Sequence, residues 1–437
     1  MHRYVSALLQ RLQDSQEKSE TPNDDISHKS SPRSSPASCE KSLSTSRYIG
    51  PLSCLSQSLS IIENPATEAL KIPSPPSLHL RRESEFTIDQ KTHQYLMEKY
   101  FSEIHPLYPF VDETLPFLSP DWDIENPNNT LNPRERFILE LIYSVSSHRV
   151  VDESKNHEQA EPYQNLGNQC HRHGLLAFDK AATDIGLQTL QVVTLAALHS
   201  LFSPRDGNFG QLIGLAARIA IDLGIGNRPR SNENENNKIN QIYMSVYCLE
   251  NQYATAMDRP SLLPEPIIDM EFTNPQGVLC ALYGLQSNIR SHAENVEVET
   301  LLREIEALLD LVEQMPIAPR HTIIAVAFET RLLIQENDED SAVRLIETYS
   351  QSSYIRTSLC PLWAYRAGSI AASKISGQYY EHVSSENLAH RFNKSYHAYS
   401  NCLLILEQMS RRWPSANALK ASLQSFTQAK TIGSGSN

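Results

Sequence analysis

The chain has 437 residues, 40% hydrophobic and 20% charged, with 51 acidic against 38 basic side chains and a formal charge of −13. Seven cysteines in that length are no disulfide scaffold and suit a reducing compartment, and the apolar run Val192–Leu198 stops at His199, far short of a membrane span. The Met1-His2-Arg3 start lacks the apolar core of a secretory signal, and a net-negative chain grips nucleic-acid phosphates poorly, so the totals point to a soluble intracellular protein of one large domain or two ordinary ones.

Residues 1–14 come first. Val5, Leu8 or Leu9, and Leu12 share one helical stripe, the remnant of a coiled coil that lasts under two heptads. Residues 1–92 then balance 11 basic against 11 acidic side chains and hold 19 serines, with Ser-Pro and Ser-Ser runs from Ser30 to Pro36 and from Pro73 to Ser77. Such a stretch buries too little apolar surface to offset its chain entropy, and residues 15–85 are expected to be a disordered linker. All 13 excess negative charges therefore fall in residues 93–437.

From Phe86 onward the apolar spacing is helical. Phe86, Ile88, Tyr95, Leu96, Tyr100 and Phe101 form a first stripe that ends at His105-Pro106. Asn132-Pro133 is a helix start, an N-cap with proline in the first turn, and Phe137, Ile138, Leu141 and Ile142 supply its buried side. Further helices are predicted near 157–176, 187–202, 208–223 and 238–257. Beyond Pro275, amphipathic stretches recur near 294–314, 320–335, 340–350, 357–374, 386–410 and 414–427. No alternating strand pattern stands between turn signals, 15 glycines are few for a β architecture, and no fixed period repeats. The predicted fold class is all-α, with residues 86–275 and 276–430 as two parts of one helical domain.

Chemical motifs are sparse. Cys170-His171-Arg172-His173 is a dense Cys/His cluster, but positions i, i+1 and i+3 of one helix cannot converge on a tetrahedral zinc ion. Gly224-Ile225-Gly226 follows a helix and lacks a third glycine, so Gly224 is expected to end that helix in a left-handed conformation. Asn337, Asp338 and Ser341 echo a terpene-synthase magnesium motif, yet the next ligand position holds Leu345 and Glu347 is two residues late. The other acidic pair, Asp24-Asp25, lies in the serine-rich stretch, so an acidic inter-helix loop is the expected reading. Gly433-Ser434-Gly435-Ser436 has the wrong spacing for a nucleophile elbow, and Arg81-Arg82-Glu83-Ser84 is a weak kinase-type motif. No catalytic, cofactor-binding or metal-binding residues are assigned.

Three segments in order carry more. Tyr100 to Val111 places aromatics on a helix end and follows them with His105-Pro106-Leu107-Tyr108-Pro109-Phe110. Gly214-Leu215-Ala216-Ala217-Arg218-Ile219-Ala220-Ile221-Asp222-Leu223-Gly224 is a helix whose Leu212, Leu215, Ala216, Ile219 and Leu223 line one face, with Gly214, Ala217 and Ala220 allowing close approach. Arg259-Pro260 with Leu263-Pro264 forms the third. Together they resemble the fungal-specific transcription factor domain, the middle homology region of fungal zinc-cluster regulators, over about residues 88–275. Departures from that pattern are Gly210 where a tryptophan is usual, Gly226 where a histidine is common, Glu250-Asn251 for Asp-Arg, and Asp258 for the glycine of Gly-Arg-Pro.

The resemblance implies a nuclear, RNA polymerase II-dependent transcription regulator of pathway genes, which pairs with itself or with related regulators and responds to a small-molecule effector, with no membrane role. The family's six-cysteine zinc cluster has no counterpart here: Cys39 and Cys54 stand alone in the N-terminal region. Zinc and direct DNA contact are thus expected only through a cluster upstream of this chain, which reads as a truncated gene product or a dominant antagonist. The alternatives are an all-α enzyme of terpene-cyclase type and a non-catalytic helical scaffold.

Overall fold

The computed structural model describes residues 88–433 apart from 127, 155, 206, 228–232, 267–273, 292–296 and 379–385, all within one unit spanning Ile49–Asn437. The stripe at Tyr4–Leu12, the serine-rich stretch with Asp24-Asp25 and Arg81-Arg82, Phe86 and Ser434 to Ser436 lie outside the described residues. Thirteen α-helices and no strand occur among the described residues.

Asp89 caps the first helix, its carboxylate accepting the Thr92 N–H at 2.8 Å, and opens α1 (Gln90–Lys99). A π turn, Tyr100–Ile104, carries the helix to the two prolines, with the His105 N–H reaching back to the Tyr100 carbonyl. His93 is buried and pins the chain after this turn: Nδ1 lies 2.6 Å from the Tyr143 hydroxyl and Nε2 2.9 Å from the Ser119 carbonyl.

At Asn132 the side chain accepts from the Arg134 and Glu135 N–H groups while Glu135 accepts from the Asn132 N–H at 2.9 Å, a closed capping box with Pro133 in the first turn. It starts α2 (Pro133–Glu153), which is buried on every face from Phe137 to Val150 rather than along a stripe. Two of its buried serines bond to neighbouring backbone: Ser144 donates to the Gly167 carbonyl at 2.7 Å and Ser146 to the Leu96 carbonyl at 2.8 Å. Arg149, fully buried, sits between Glu103 at 2.6 Å and Glu153 at 2.9 Å, and Lys99 completes the ion network.

α3 (His157–Ala181) packs antiparallel to α2 after a short connection, and α4 (Leu187–Phe202) is buried from Thr189 to its end. Two remote groups satisfy the last carbonyls of α4: the Ser358 N–H reaches Leu201 at 2.8 Å and the Trp413 indole reaches Phe202 at 3.1 Å. α5 (Phe209–Asp222) and α6 (Glu233–Met257) follow, and then α7 (Pro275–Ser291). This last helix is absent from the predicted elements; its Val278, Leu279, Cys280, Leu282 and Tyr283 are all buried between α6 and α9.

The remaining helices are α8 (Val298–Val312), α9 (Ile317–Ile334), α10 (Glu339–Tyr349), α11 (Cys360–Gln378), α12 (Glu386–Ser410) and α13 (Ser415–Gly433). Phe328, Leu332, Ile346, Trp363, Ile370, Cys402, Leu406 and Trp413 form one core shared by α9 to α13. None of the described helices is long and apolar enough to cross a membrane.

Candidate functional site

The three sequence segments meet as packing, and their departures from the family pattern are matched through space. In the first, the His105 ring closes the loop on the Val111 carbonyl at 2.9 Å, Leu107 and Phe110 are buried, and Gln191 of α4 donates to the Phe110 carbonyl at 2.7 Å. In the second, Leu212, Ile213, Ala216, Ala217, Ile219 and Ala220 are buried, whereas Leu215 and Leu223 are half-buried. Gly214 corrects an expectation, since a methyl group there would meet nothing within 4 Å. The close approach lies one turn earlier, where a side chain at Gly210 would collide with the Tyr253 ring of α6. Gly224 has φ +63°, the left-handed helix end that its place in the sequence predicts. Two residues on, a methyl group at Gly226 would come within 2.6 Å of the Tyr243 ring.

Tyrosines of α6 therefore fill the spaces that a larger side chain at 210 or 226 would occupy. Tyr253 meets Phe209 edge-on at 5.6 Å and carries the Arg259 guanidinium over its face at 5.7 Å. Tyr243 donates its hydroxyl to the Pro264 carbonyl at 2.7 Å.

The third segment is a clamped turn. α6 ends with Asp258 at φ +50°, the Arg259 N–H reaching back to the Ala254 carbonyl at 2.8 Å. Buried Glu250 accepts the Ser261 hydroxyl at 2.7 Å and the Leu262 N–H at 3.1 Å, so one carboxylate holds both the side chain and the backbone of the turn. Asn251 donates to Ser261 at 3.2 Å and accepts from Arg290 Nη2 at 3.0 Å. Arg290, at the end of α7, also donates to the carbonyls of Gln286 and Arg259. Burial pushes the Glu250 carboxyl up, against the pull of Ser261, Leu262 and Arg290. The clamp has no nucleophile or metal ligand set and acts by holding shape.

Residues 97–279 match the family described as the fungal specific transcription factor domain. That segment is similar to such a domain, and it covers less than half of the chain. A curated relative, "Negative regulator of pleiotropic drug resistance STB5" of Candida glabrata, is 26% identical over 228 residues, which cover 47% of this chain and 21% of the relative. The chain thus spans about a fifth of the length of that relative.

Where the resemblance leads one to expect an Asp-Arg pair, the turn is held by a carboxylate from Glu250, an amide from Asn251 and the guanidinium of Arg290, which lies beyond the matched segment on another helix. Sequence reasoning named the first two only as departures and missed Arg290, whose helix was not among the predicted elements. The signal that was present is Asn274-Pro275, the same start as Asn132-Pro133, and Asn274 does accept the Gly277 N–H at 2.7 Å.

The motifs set aside on sequence grounds are spread apart by the fold. Cys170 is buried and hydrogen-bonded to Glu140, whose carboxyl burial pushes up to about 7. His171 stacks on His199 with ring centroids 4.0 Å apart, His148 lies 5.5 Å from the same ring, and His173 is exposed. Asp338 is the N-cap of α10, its Oδ1 accepting from the Asp340 N–H at 3.1 Å and the Ser341 N–H at 3.3 Å, while Glu347 is exposed on a different turn. Among the described residues, no three His, Cys, Asp or Glu side chains are grouped so as to hold a metal ion.

A cleft of about 530 Å³ opens between α2, α3, the end of α4 and the α12–α13 junction, bounded by His148, Asn168, Arg172, Arg205, Arg412 and Trp413 among others. None of these was singled out by sequence as part of a pocket. The readable part is on α3, where Gln164, Asn168 and Arg172 fall at i, i+4 and i+8 and give one polar face.

Proposed function

We propose that the chain is a non-enzymatic transcription regulator of the fungal zinc-cluster class, acting in the nucleus on RNA polymerase II genes. The observation that carries this reading is the clamp on the Arg259–Pro264 turn, whose Glu250 and Asn251 lie within the segment that matches the fungal domain over residues 97–279 and whose Arg290 lies just beyond it. A site built to hold shape suits a protein whose output is contact with partners, and dimers with itself or with related regulators fit that role. DNA is reached through a zinc-cluster module outside the described helices, in this chain's partners or in a longer product. The five described cysteines are all buried, and the net charge of −13 opposes phosphate binding. The relative's printed role suggests genes of drug resistance as targets.

The test is tethering. The full chain is fused to an unrelated DNA-binding module in a fungal cell and a reporter is read beside transcript profiles of a deletion strain. A several-fold change of reporter output in either direction is expected. Unchanged output from a stably expressed nuclear fusion, together with an unaltered transcript profile, would sink the reading. In a gel shift the untethered chain is expected to give no sequence-selective complex, and a salt-resistant one would contradict this.

A further inference from the structure

The polar cleft has the volume of a small-ligand site, about 530 Å³ against a usual range of roughly 300–1,000 Å³. Its chemistry is at odds with the rest of the molecule. In a chain with a formal charge of −13, three arginines, Arg172, Arg205 and Arg412, line it, and among its described lining residues there is no carboxylate. Amides of α3, including Gln164 and Asn168, supply further donors along the same wall.

Arg412 is held ready. Its side chain is 11% exposed, Nη1 donates to Asp152 at 2.8 Å and to the His148 carbonyl at 3.2 Å, and the guanidinium lies over Phe202 at 5.6 Å and Trp413 at 5.0 Å. Nη2, also buried, has no hydrogen-bond partner. Next to it His148 is 3% exposed and its Nε2 likewise has no partner. Burial first, then Arg412 and His171, hold the His148 pKa well below its ordinary value, so the ring is neutral and in its Nε2–H tautomer donates without adding charge. Leaving two such donors unsatisfied costs stability, and Asp152 Oδ2, beside Arg412, is buried without a partner as well. Phe202 and Trp413 give the same cleft an apolar wall for a carbon skeleton.

We propose that this cleft binds a small organic anion, with its carboxylate or phosphate on Arg412, Arg172 and Arg205 and its carbon frame against Phe202 and Trp413. As an effector site it rests on the regulator reading above. As an anion site it rests only on the cleft. Arg412 already bridges the α12–α13 junction to α2 through Asp152 and His148, so an anion in the cleft beside it braces the C-terminal helices against α2.

The test uses the full chain, with calorimetric titration and thermal melting in citrate, benzoate, glucose 6-phosphate and AMP, and glycerol as the neutral control. Trp413 fluorescence, assigned by the Trp413→Phe variant, reports occupancy. At least one anion is expected to bind, raise the melting temperature and perturb Trp413. Arg172→Gln/Arg205→Gln, which changes two exposed side chains, is expected to melt normally without ligand and bind roughly tenfold more weakly. Arg412→Lys, which keeps a cation beside Asp152 but removes the fork, is expected to weaken binding as well. The proposal is overturned if none of the four anions binds at concentrations on the order of 10 mM. It is equally overturned if the double variant binds as tightly as the parent, or if glycerol gives the same melting shift. The tethered reporter needs no such ligand, so loss of binding with an active reporter removes this site alone, while binding with a silent reporter removes the regulator reading alone.

Discussion

Asp258 shows what one residue does when it stands where the family usually has glycine. Its φ of +50° is a conformation that β-branched residues adopt only under strain, and aspartate tolerates it because its short side chain bonds locally. Asp258→Val is expected to lower stability by about 1–2 kcal/mol in urea unfolding, and Asp258→Gly to stay within about 0.5 kcal/mol of the parent. A second single-residue prediction concerns Gly210. Gly210→Ala pushes into the Tyr253 ring and is expected to cost about 1–3 kcal/mol, with most of that recovered when Tyr253→Leu is added. The double-mutant cycle should therefore return a coupling well above about 0.5 kcal/mol, and additive losses would disprove the contact. The sequence displayed both departures. It could not show that Tyr253 and Tyr243 offset Gly210 and Gly226, because those pairs are 43 and 17 positions apart and become neighbours only when α6 packs on α5.

Helices were legible mostly where their ends carried chemistry or their sides carried a stripe. The span 187–202 is the same in sequence and structure, as is 386–410, and the helix predicted at 208–223 runs Phe209–Asp222. The Asn132-Pro133 box is of this kind, and Asn132→Ala is expected to lose about 1 kcal/mol, read as a lower urea midpoint with unchanged slope. The helix Pro275–Ser291 was passed over although its start, Asn274-Pro275, repeats the Asn132-Pro133 signal. With it went Arg290, and so the third member of the clamp. The start of α11 moved from 357 to Cys360 because the turn before it is closed by bonds from Thr357, whose N–H lies 3.1 Å from the Cys360 sulfur.

At the scale of the whole molecule, buried ionisable groups set how stability follows pH. Glu329 is buried in α9, takes the Tyr349 hydroxyl at 2.6 Å, and is pushed up to about 7 by desolvation. Because its folded pKa is raised, its stabilising share is complete below the unfolded carboxylate value and is lost as pH rises through about 7. His148 and His199 act in the opposite sense. Burial first holds both well below the ordinary histidine value, so the unfolded chain takes up protons first and the fold weakens as pH falls below that value. Glu329→Gln is accordingly expected to gain stability relative to the parent as pH rises from about 5 to 8, and to lose stability more steeply on acidification. Parallel pH profiles for the two proteins would show that Glu329 is ionised throughout.

Sequence by itself determined what depends on neighbours along the chain. The all-α class, most helix limits, the capping box, the left-handed Gly224 and the order of the three family segments all follow from spacings of a few residues, where 3.6-residue periodicity and cap chemistry act. Tertiary structure decided what depends on residues meeting across the chain. It set which aromatic fills the space beside which glycine, which helix lends the guanidinium to the turn, and that Arg412, 264 positions from His148, shares a cleft with it. An acidic total said only that the molecule as a whole repels phosphate. Packing gathered three of its arginines around one cavity, because charge sums over composition while binding depends on where the charges are brought together.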